Sequence, residues 1–463
     1  MFKLFTNNRG NSSIHFDNYN FRYFRTNKSS GDIVWRCVQK TCNVTIITNN
    51  EKTVLIRSNI KDHQHDEDND EQKKELQKIR TAIKRKAIEN VYEKPIKIIR
   101  KELSSIEDSL VCSSNINALR KSMYRERRKT LPTVPSSITD AIQKVKIACI
   151  ENKSNEHFVH VFEEDEIIIV TCKTNLLFLN DNTETFLADG TFTYCPKHFF
   201  QQYTIHGLTR GHYVPLVFCF LPSKTLKCYI RMWTNLKNLC FQLTNTNLNP
   251  QLLLLDFEVG AHTAASNVFT NIKIKSCRFH LCQAWYRKIN SIPILHKEYK
   301  DKNSEIGKWL KMFFGLPYLP ENFVSDAFDD ILSEAPKHKK CTEFANYVLE
   351  NYIDTEQFPP SMWAEEPNGT KRTTNGAESY HSQLRFEFYM PHPSVFQVID
   401  VLIDQQVINE AKMREIKKGT EAIQRKCDRE REANLVYQYS LLLTNKLTKM
   451  EYIEKTGLHF KPI

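Results

Sequence analysis

The chain of 463 residues is 41% hydrophobic and 26% charged, and its formal net charge is +11. This length suggests about three domains, and the hydrophobic fraction is enough to build buried cores. No apolar run approaches the roughly 18 residues that cross a bilayer, which excludes a membrane-spanning class. The 13 cysteines are scattered and follow no secretory leader, so we expect reduced thiols and metal ligands rather than a disulfide framework.

Cysteines and histidines form an ordered set within the first 70 residues. Cys37 and Cys42 are separated by four residues, and His63 and His65 follow after twenty more. Two cysteines and two histidines are a common tetrahedral ligand set for structural zinc, whose binding supplies folding energy to a domain with a small core. The set therefore predicts a zinc site, with unligated thiols and surface histidines as the alternative.

Branched residues between and after these ligands predict two short strands, at residues 44–47 and 53–56. Residues 5 to 66 resemble the FLYWCH zinc finger, a module that binds DNA or protein. The resemblance implies a small β-rich domain over residues 1–70 that holds a structural Zn²⁺. Whether this finger binds DNA or protein is left open.

Residues 71–135 form a basic connector. Residues 71–130 contain 17 lysines and arginines against 8 acidic residues, which is +9 of the total charge of +11. Helical spacing predicts a first helix here, a second from Pro95 and a third over residues 115–129. The first helix has its apolar face at Leu76, Ile79, Ile83 and Ala87. The third ends in Arg125, Arg127, Arg128 and Lys129. Helices with basic outer faces could bind DNA phosphates, and a solvated linker is the alternative.

Three acids stand in contexts suited to a divalent cation. Asp189 ends an apolar stretch before Gly190, Asp256 follows four leucines, and Glu378 opens a helix after a turn. Burial of such an acid is costly unless it is paired, hydrogen-bonded or bound to a cation. Carboxylates that hold Mg²⁺ ions support phosphodiester chemistry. The alternatives are a helix cap at Asp256 and a turn at Asp189.

The segments around the first two acids predict a mixed sheet. Aromatic and branched runs at residues 199–208 and 212–220 predict a hairpin, which makes a three-stranded antiparallel unit with the strand near Asp189. A helix, a strand at residues 252–255 buried on both faces, a second helix and a short strand at residues 272–276 follow. Acids at the ends of adjacent central strands would then lie side by side.

Residues 150 to 385 resemble the catalytic domain of Mutator-like element (MULE) transposases, which belong to the RNase H-like integrase superfamily. The similarity lies in residues 187–194, 252–285 and 375–381. The resemblance implies a site that binds Mg²⁺ or Mn²⁺ and cleaves DNA. It assigns the three catalytic, metal-binding acids to Asp189, Asp256 and Glu378.

Two histidines accompany these acids. His280 matches the histidine of the family's Cys-x-x-His element, which implies a catalytic role. We favour support of an acid or contact with substrate over zinc ligation with Cys277, because Cys282 is the one further candidate ligand nearby. His381 follows Glu378 by three residues and shares its helical face. Its role is left open between supporting the glutamate, binding a phosphate and packing.

The spacing of the acids predicts an insertion. Asp189 and Asp256 are 67 positions apart, whereas Glu378 comes 122 positions after Asp256. A connection of that length needs structure of its own. Helical patterns predict an all-helical insertion at residues 291–372, between a first part of the core at residues 150–290 and a C-terminal region.

The C-terminal region, residues 373–463, holds the glutamate helix and further predicted helices. One of these has Val398, Val401, Leu402, Gln405 and Ile408 in helical phase. Many MULE-like transposases carry a SWIM-type zinc module after the glutamate, and none is visible in this sequence. That departure leaves open whether the chain is a shorter lineage, a truncated form or a domesticated derivative.

The sequence therefore predicts an α/β fold, an RNase H-like mixed sheet with a helical insertion, plus a small N-terminal β-rich zinc-binding domain and a helical connector. The predicted function is that of a DNA transposase-like protein that cleaves and transfers DNA strands through an Asp/Asp/Glu site. The alternative is a domesticated, non-catalytic DNA-binding regulator. We expect DNA at transposon ends and targets as the partner, self-association as a further candidate, no membrane, and a nuclear location.

Overall fold

The computed structural model describes residues 2–6, 11–58, 63, 71–89, 93–104, 113–130, 132–183, 185–367, 375–388 and 390–460. The chain divides into two compact units, Met1–Pro132 and Thr133–Ile463. The division falls in the proline-containing segment that ends the basic connector. The finer division into five domains stays a prediction.

The described residues of the first unit begin with a six-stranded antiparallel sheet in chain order. Its strands are β1 (Lys3–Thr6), β2 (Ser12–Phe16), β3 (Tyr19–Thr26), β4 (Ile33–Cys37), β5 (Thr45–Thr48) and β6 (Leu55–Ser58). Alternate residues of β4, namely Ile33, Trp35 and Cys37, are buried in a small core, as the two-residue period of a strand requires. The indole N–H of Trp35 donates to Thr48 Oγ1 at 2.9 Å.

The two strands predicted after Cys42 are present, and the second begins later than expected. The sequence placed it at residues 53–56, whereas β6 starts at Leu55. Asn49 explains the shift, because its Oδ1 accepts hydrogen bonds from the backbone N–H groups of Thr53 and Val54 at 2.8 and 2.9 Å. Residues 53 and 54 therefore belong to the turn.

The other elements among the described residues of the first unit are helices. The helices are α1 (Glu71–Glu89), α2 (Pro95–Leu103) and α3 (Ser113–Thr130). They share an apolar core of Ile79, Ile83, Ala87, Ile98, Ile99, Leu119 and Met123. The predicted helices are therefore confirmed. The predicted face included Leu76, whose side chain lies outside the described residues.

Arg127 corrects the prediction that the end of α3 presents only outward basic groups. Its side chain is 3% exposed, and its guanidinium donates to the carbonyl oxygens of Ala87 and Glu93 at 3.3 and 2.7 Å. These contacts satisfy carbonyls at and beyond the end of α1, which has no further turn to bond them. Arg127 therefore has a structural role. The side chain of Arg128 lies outside the described residues.

The described residues of the second unit contain a seven-stranded mixed sheet. Its strands are β7 (Val159–Phe162), β8 (Ile167–Val170), β9 (Thr185–Thr191), β10 (Gln201–Thr209), β11 (His212–Leu221), β12 (Leu252–Leu255) and β13 (Lys273–Ser276). They lie in the order β7-β8-β11-β10-β9-β12-β13. The β12 pairings to β9 and β13 are parallel, and the others are antiparallel. The predicted hairpin and both later strands are confirmed, whereas β7 and β8 were not predicted.

Helices cover the sheet on both faces. These are α4 (Ile138–Ala148), α5 (Lys173–Asn182), α6 (Leu226–Thr244), α7 (Val259–Val268), α14 (Asn375–Glu387) and α15 (Val395–Lys417). Helix α8 (Arg278–Asn290) follows β13 and packs its buried residues against the helices described next. Leu253 and Leu255 point into the main core with α5, α6 and α7, while Leu254 packs against Leu187 and Leu208. The predicted burial of β12 on both faces is therefore confirmed.

Helices occupy the residues predicted to form the insertion, and they share an apolar core. These are α9 (Pro293–Lys300), α10 (Glu305–Met312), a 3₁₀ segment (Phe313–Tyr318), α11 (Glu321–Ser333), α12 (Lys339–Val348), a π segment (Leu349–Ile353) and α13 (Pro360–Trp363). After α15 come α16 (Lys426–Leu443) and α17 (Lys449–Gly457). Tyr452 and Ile453 of α17 complete the insertion's core, so distant parts of the chain form this layer together.

Helix α15 is present as predicted, and Val398, Val401 and Leu402 of the expected face are buried, whereas its C-terminal part differs. Ile408 is 59% exposed, whereas Gln406 and Asn409 are buried. The Gln406 amide exchanges hydrogen bonds with Asn175, and Asn409 donates to the Pro215 carbonyl at 2.9 Å. Polar residues can occupy the buried face because these bonds satisfy their amides.

Candidate functional site

The pairing of β9 with β12 sets the relative position of two acids. In this parallel pair Leu187 is opposite Leu254. Two residues after Leu187 comes Asp189, and two residues after Leu254 comes Asp256, which directly follows β12. The two aspartates are therefore level with each other. The structure therefore brings together two acids that are 67 positions apart in the sequence.

The local structure rules out the simpler roles for these acids. Asp189 lies within β9, opposite Thr204 of β10, and so does not form a turn. The N-cap residue of α7 is Glu258, so Asp256 is not that helix's cap. Both acids instead line one cleft.

Glu258 is a third carboxylate on the wall of this cleft among the described residues. The Tyr229 hydroxyl donates to Glu258 Oε2 at 3.1 Å, and the Gln201 amide donates to the Tyr229 hydroxyl at 2.8 Å. Sequence reasoning did not assign Glu258 a role. Its position two residues after Asp256, between the same buried strand and α7, was the available signal.

A glycine allows close packing beside Asp189. A Cβ on Gly190 would lie 2.6 Å from Gln201 Oε1, so a larger residue would displace that amide from the cleft wall. The Gly190 backbone N–H donates to Asp189 Oδ1 at 2.8 Å. The glycine thus both fixes one carboxylate oxygen and leaves room for Gln201.

Each aspartate is held by a histidine from a later helix. His280 Nδ1 of α8 lies 2.5 Å from Asp256 Oδ1, and His381 Nδ1 of α14 lies 3.0 Å from Asp189 Oδ2. His262 Nε2 is 2.7 Å from the Asp256 carbonyl oxygen, to which it can only donate. These contacts settle the position of His381, whose role the sequence left open.

The two aspartates have pKa values shifted in opposite directions. Burial alone would raise the pKa of Asp189, but the hydrogen bond and charge of His381 outweigh burial and hold the pKa below its usual range. Burial raises the pKa of Asp256, the nearby Asp189 charge raises it further, and the His280 hydrogen bond only partly opposes them. Such divergence is typical of close carboxylate pairs, where one acid ionises more readily than the other.

The surroundings of His280 favour its protonated form. Burial lowers its pKa, but the hydrogen bond and charge of Asp256 and a hydrogen bond with Cys277 raise it to about 11. The pKa values of Asp256 and His280 are thus both raised. This is expected where acidic groups outnumber cations in a buried site, and a metal ion would replace protons on these groups.

Glu378 lies in α14 by its backbone, and its side chain lies outside the described residues. The helix itself is docked on the sheet. The ring of Tyr380 packs against His206 and Phe218, with centroids 5.4 and 5.9 Å apart. A Cβ on Gly376 would lie 2.2 Å from the Tyr213 ring, so α14 approaches β11 closely.

The finger contains a separate cluster of possible ligands. The ligand atoms of Cys37, Cys42 and His63 all lie within 4.8 Å of one another. Cys42 Sγ is 3.4 Å from His63 Nδ1, and the His63 ring stacks on Tyr19 with centroids 3.6 Å apart. These residues fit a structural zinc ion. The predicted fourth ligand, His65, lies outside the described residues.

A second cluster of possible metal ligands shares Asp256 with the cleft. Asp256, Cys277 and His280 also offer ligand atoms within 4.8 Å of one another. Cys277 is fully buried at the start of α8. Cys282, the other cysteine that the sequence placed nearby, packs in the core of the helical insertion instead.

Comparison with protein families assigns two parts of the chain. Residues 4–65 match the FLYWCH zinc finger domain, and residues 185–284 match the MULE transposase domain. The chain combines a FLYWCH finger with a MULE transposase domain. Both family resemblances found in the sequence are thereby confirmed. The MULE match includes Asp189, Asp256 and His280.

No curated protein matches this FLYWCH and MULE chain. Within the part of the chain that the structure describes, no helix combines the length and apolarity needed to cross a membrane.

Proposed function

We propose that this chain is a metal-dependent DNA transposase, which cleaves DNA strands and transfers them to target DNA through Asp189, Asp256 and Glu378. The observation that carries the proposal is the register of β9 and β12 in the MULE domain, which sets Asp189 and Asp256 side by side at a cleft. Adjacent carboxylates at a cleft are suited to binding the cations used in phosphodiester chemistry.

An RNase H-like fold for the second unit is part of this proposal. Strands β9, β10 and β11 form consecutive antiparallel pairs, and β12 and β13 continue the sheet in parallel on the other side of β9. Helices α6 and α7 lie between these strands in the chain. This is the element order that the resemblance to MULE transposases implies.

Helix α14 supports the inclusion of Glu378. His381, which contacts Asp189, follows Glu378 by three residues in this helix. Residues three apart are neighbours on a helical surface. The helix that carries the proposed third acid is therefore docked beside the first acid.

The donor chemistry fits Mg²⁺ or Mn²⁺, which prefer carboxylate oxygens. Asp189, Asp256 and Glu378 would hold the ions, with Glu258 as a further oxygen donor on the cleft wall. Such ions, when bound, activate an attacking water or hydroxyl and stabilise the leaving oxygen. The raised pKa of Asp256 supports this role, because a nearby cation would stabilise the negative charge of this carboxylate.

The histidines orient the acids and contribute charge. His381 fixes one oxygen of Asp189, and His280 fixes one oxygen of Asp256. Protonated His280 also places a positive charge beside the cleft, where it would attract the phosphodiester. We therefore retain His280 as a proposed catalytic residue.

The first unit would bind DNA, and the nucleus is the proposed location. On the finger, Tyr23 and Phe24 are 51% and 47% exposed. The guanidinium groups of Arg25 and Arg36 lie 5.8 and 5.6 Å from the Phe24 ring centroid. Exposed aromatic rings beside basic groups suit contacts with bases and phosphates.

The test is strand cleavage by the full chain with Mg²⁺ on DNA that carries the ends flanking the gene. We expect Asp189→Asn and Asp256→Asn to reduce cleavage by at least about a hundredfold, the scale of losing one group that stabilises transition-state charge. DNA binding should persist. Asp404→Asn is the matched control, because Asp404 is an exposed acid paired with Lys153.

Cleavage at the wild-type rate by either cleft variant would contradict the proposal. DNA binding by the wild-type chain without cleavage in Mg²⁺ or Mn²⁺ would favour the regulator instead.

A further inference from the structure

Asp256 belongs to a ligand cluster that does not include Asp189. An oxygen of Asp256, the sulfur of Cys277 and a ring nitrogen of His280 lie within 4.8 Å of one another. Ligand atoms around a tetrahedral zinc ion are roughly 3.3 to 3.8 Å apart, so these donors need only small shifts to share an ion. The sequence offered no second Cys/His pair here, and the fold supplies Asp256 in its place.

Strand pairing holds this cluster together. Leu255 of β12 is opposite Ser276 of β13, and the Cys277 N–H donates to the Leu255 carbonyl at 2.9 Å. Asp256 and Cys277 are therefore the next residues on two adjacent parallel strands. His280 lies in the first turn of α8, three residues after its N-cap Cys277. The ligands are thus positioned by regular structure before any ion binds.

The donor set favours a different metal from that of the carboxylate pair. Thiolate and imidazole ligands suit Zn²⁺, whereas Mg²⁺ prefers oxygen alone. The side chains of Asp256 and His280 are 35% and 24% exposed, so the cluster is open on one side. Three protein ligands with one open position are typical of zinc sites that also bind water.

We propose that Asp256, Cys277 and His280 bind a zinc ion, with water as the fourth ligand. Asp256 is also a proposed Mg²⁺ ligand, so the two metals compete for it. Zinc at this site removes Asp256 from the carboxylate pair and inhibits strand cleavage. That consequence rests on the proposed function, whereas zinc binding itself does not.

The test measures zinc bound by the full chain in competition with a chromogenic chelator. The wild-type chain should bind a second zinc ion beyond that of the finger. Cys277→Ser and Asp256→Asn should each weaken the second site by at least about tenfold. Cobalt substitution supplies an independent readout, because a thiolate-to-cobalt band from the second site should be absent in Cys277→Ser.

Two matched variants locate the ion. Cys282→Ser changes a buried cysteine of the same helix that lies outside the cluster, and it should keep the second zinc ion. Asp189→Asn should also keep it while losing Mg²⁺-dependent cleavage, so failure of the zinc site and failure of the proposed function give different results.

Three results would overturn the zinc site. These are a wild-type chain that binds one zinc ion only, a Cys277→Ser chain with unchanged affinity, and an Asp189→Asn chain weakened as much as Cys277→Ser. The last result would place the ion between the carboxylates instead.

Discussion

The finger and the cleft obtain their ligands in different ways. Cys37, Cys42 and His63 come from a short stretch of chain around a small apolar core. Asp189 and Asp256 come from separate strands of a sheet with a much larger core. In the finger, therefore, ligands stabilise the fold, whereas in the second unit the fold positions the ligands. Removing a ligand should therefore unfold the finger but leave the second unit folded.

The largest expected effect is the loss of the finger's fold. Cys37→Ser should release zinc and unfold β2 to β5, because structural zinc contributes about 10 kcal/mol or more to small zinc domains. Hydrogen exchange measures this directly, with protection lost in the finger and kept in β10 and β11. Cys149→Ser, at an exposed cysteine outside the finger, is the control. If the finger of Cys37→Ser kept its protection, its fold would not depend on the zinc ligands, and the proposed difference between the two regions would be wrong.

The stability of the second unit's fold should depend on acid pH rather than on metal chelators. Burial lowers the pKa of His160 to about 4 from the ordinary value of 6.5. As the pH falls, His160 is protonated in the unfolded chain before it is protonated in the folded protein. The free energy of unfolding therefore decreases as the pH falls from about 6.5 to about 4. His160→Gln should reduce that loss by up to about 3 kcal/mol.

Urea unfolding of the full chain at neutral and acidic pH, followed by hydrogen exchange in β7 and β8, checks this effect. His296→Gln, in the helical insertion, serves as the control. An unchanged pH dependence in His160→Gln would show that His160 does not limit stability in acid.

A third effect tests whether packing positions the acids. Gly376→Ala would bring a Cβ to within 2.2 Å of the Tyr213 ring and should cost about 1–3 kcal/mol of stability. The displacement of α14 should also lower Mg²⁺-dependent cleavage. The double variant Gly376→Ala/Tyr213→Ala should recover part of both losses because it removes the clash.

The control for this variant is Ser382→Ala, at an exposed position of the same helix. Cleavage and stability at wild-type levels in Gly376→Ala would mean that the approach of α14 to β11 does not matter.

The smallest expected effect is a shift in a pH profile. The His381 hydrogen bond lowers the pKa of Asp189, so His381→Gln should raise that pKa. Asp189 would then become protonated at a higher pH. The acidic limb of the profile of cleavage rate against pH should therefore shift to higher pH. The measurement is the cleavage rate against pH at saturating Mg²⁺. A limb that stays in place, or moves downward, would contradict the assignment of this contact.

Local patterns made much of the fold predictable. The hairpin of β10 and β11, the four-leucine strand β12 and the ordered Cys and His set each leave a signal within a few residues. The acids Asp189 and Asp256 were identified because each follows an apolar run. Their adjacency was inferred from the order of strands.

Other features depend on contacts between distant parts of the chain, which no short pattern records. The burial of Arg127 requires the end of α1, and the core of the insertion requires Tyr452 from α17. The contact of His381 with Asp189 requires α14 to pack on the sheet. The cluster of Asp256 with Cys277 follows from the register of β12 and β13.

The central claim is that Asp189 and Asp256 bind a divalent cation together. The most direct measurement is Mn²⁺ binding to the full chain, with zinc in its finger, followed by electron paramagnetic resonance. The account predicts that Asp189→Asn and Asp256→Asn each weaken Mn²⁺ binding by at least about tenfold and that the double variant is little worse than either. Unchanged Mn²⁺ affinity in both single variants would contradict it.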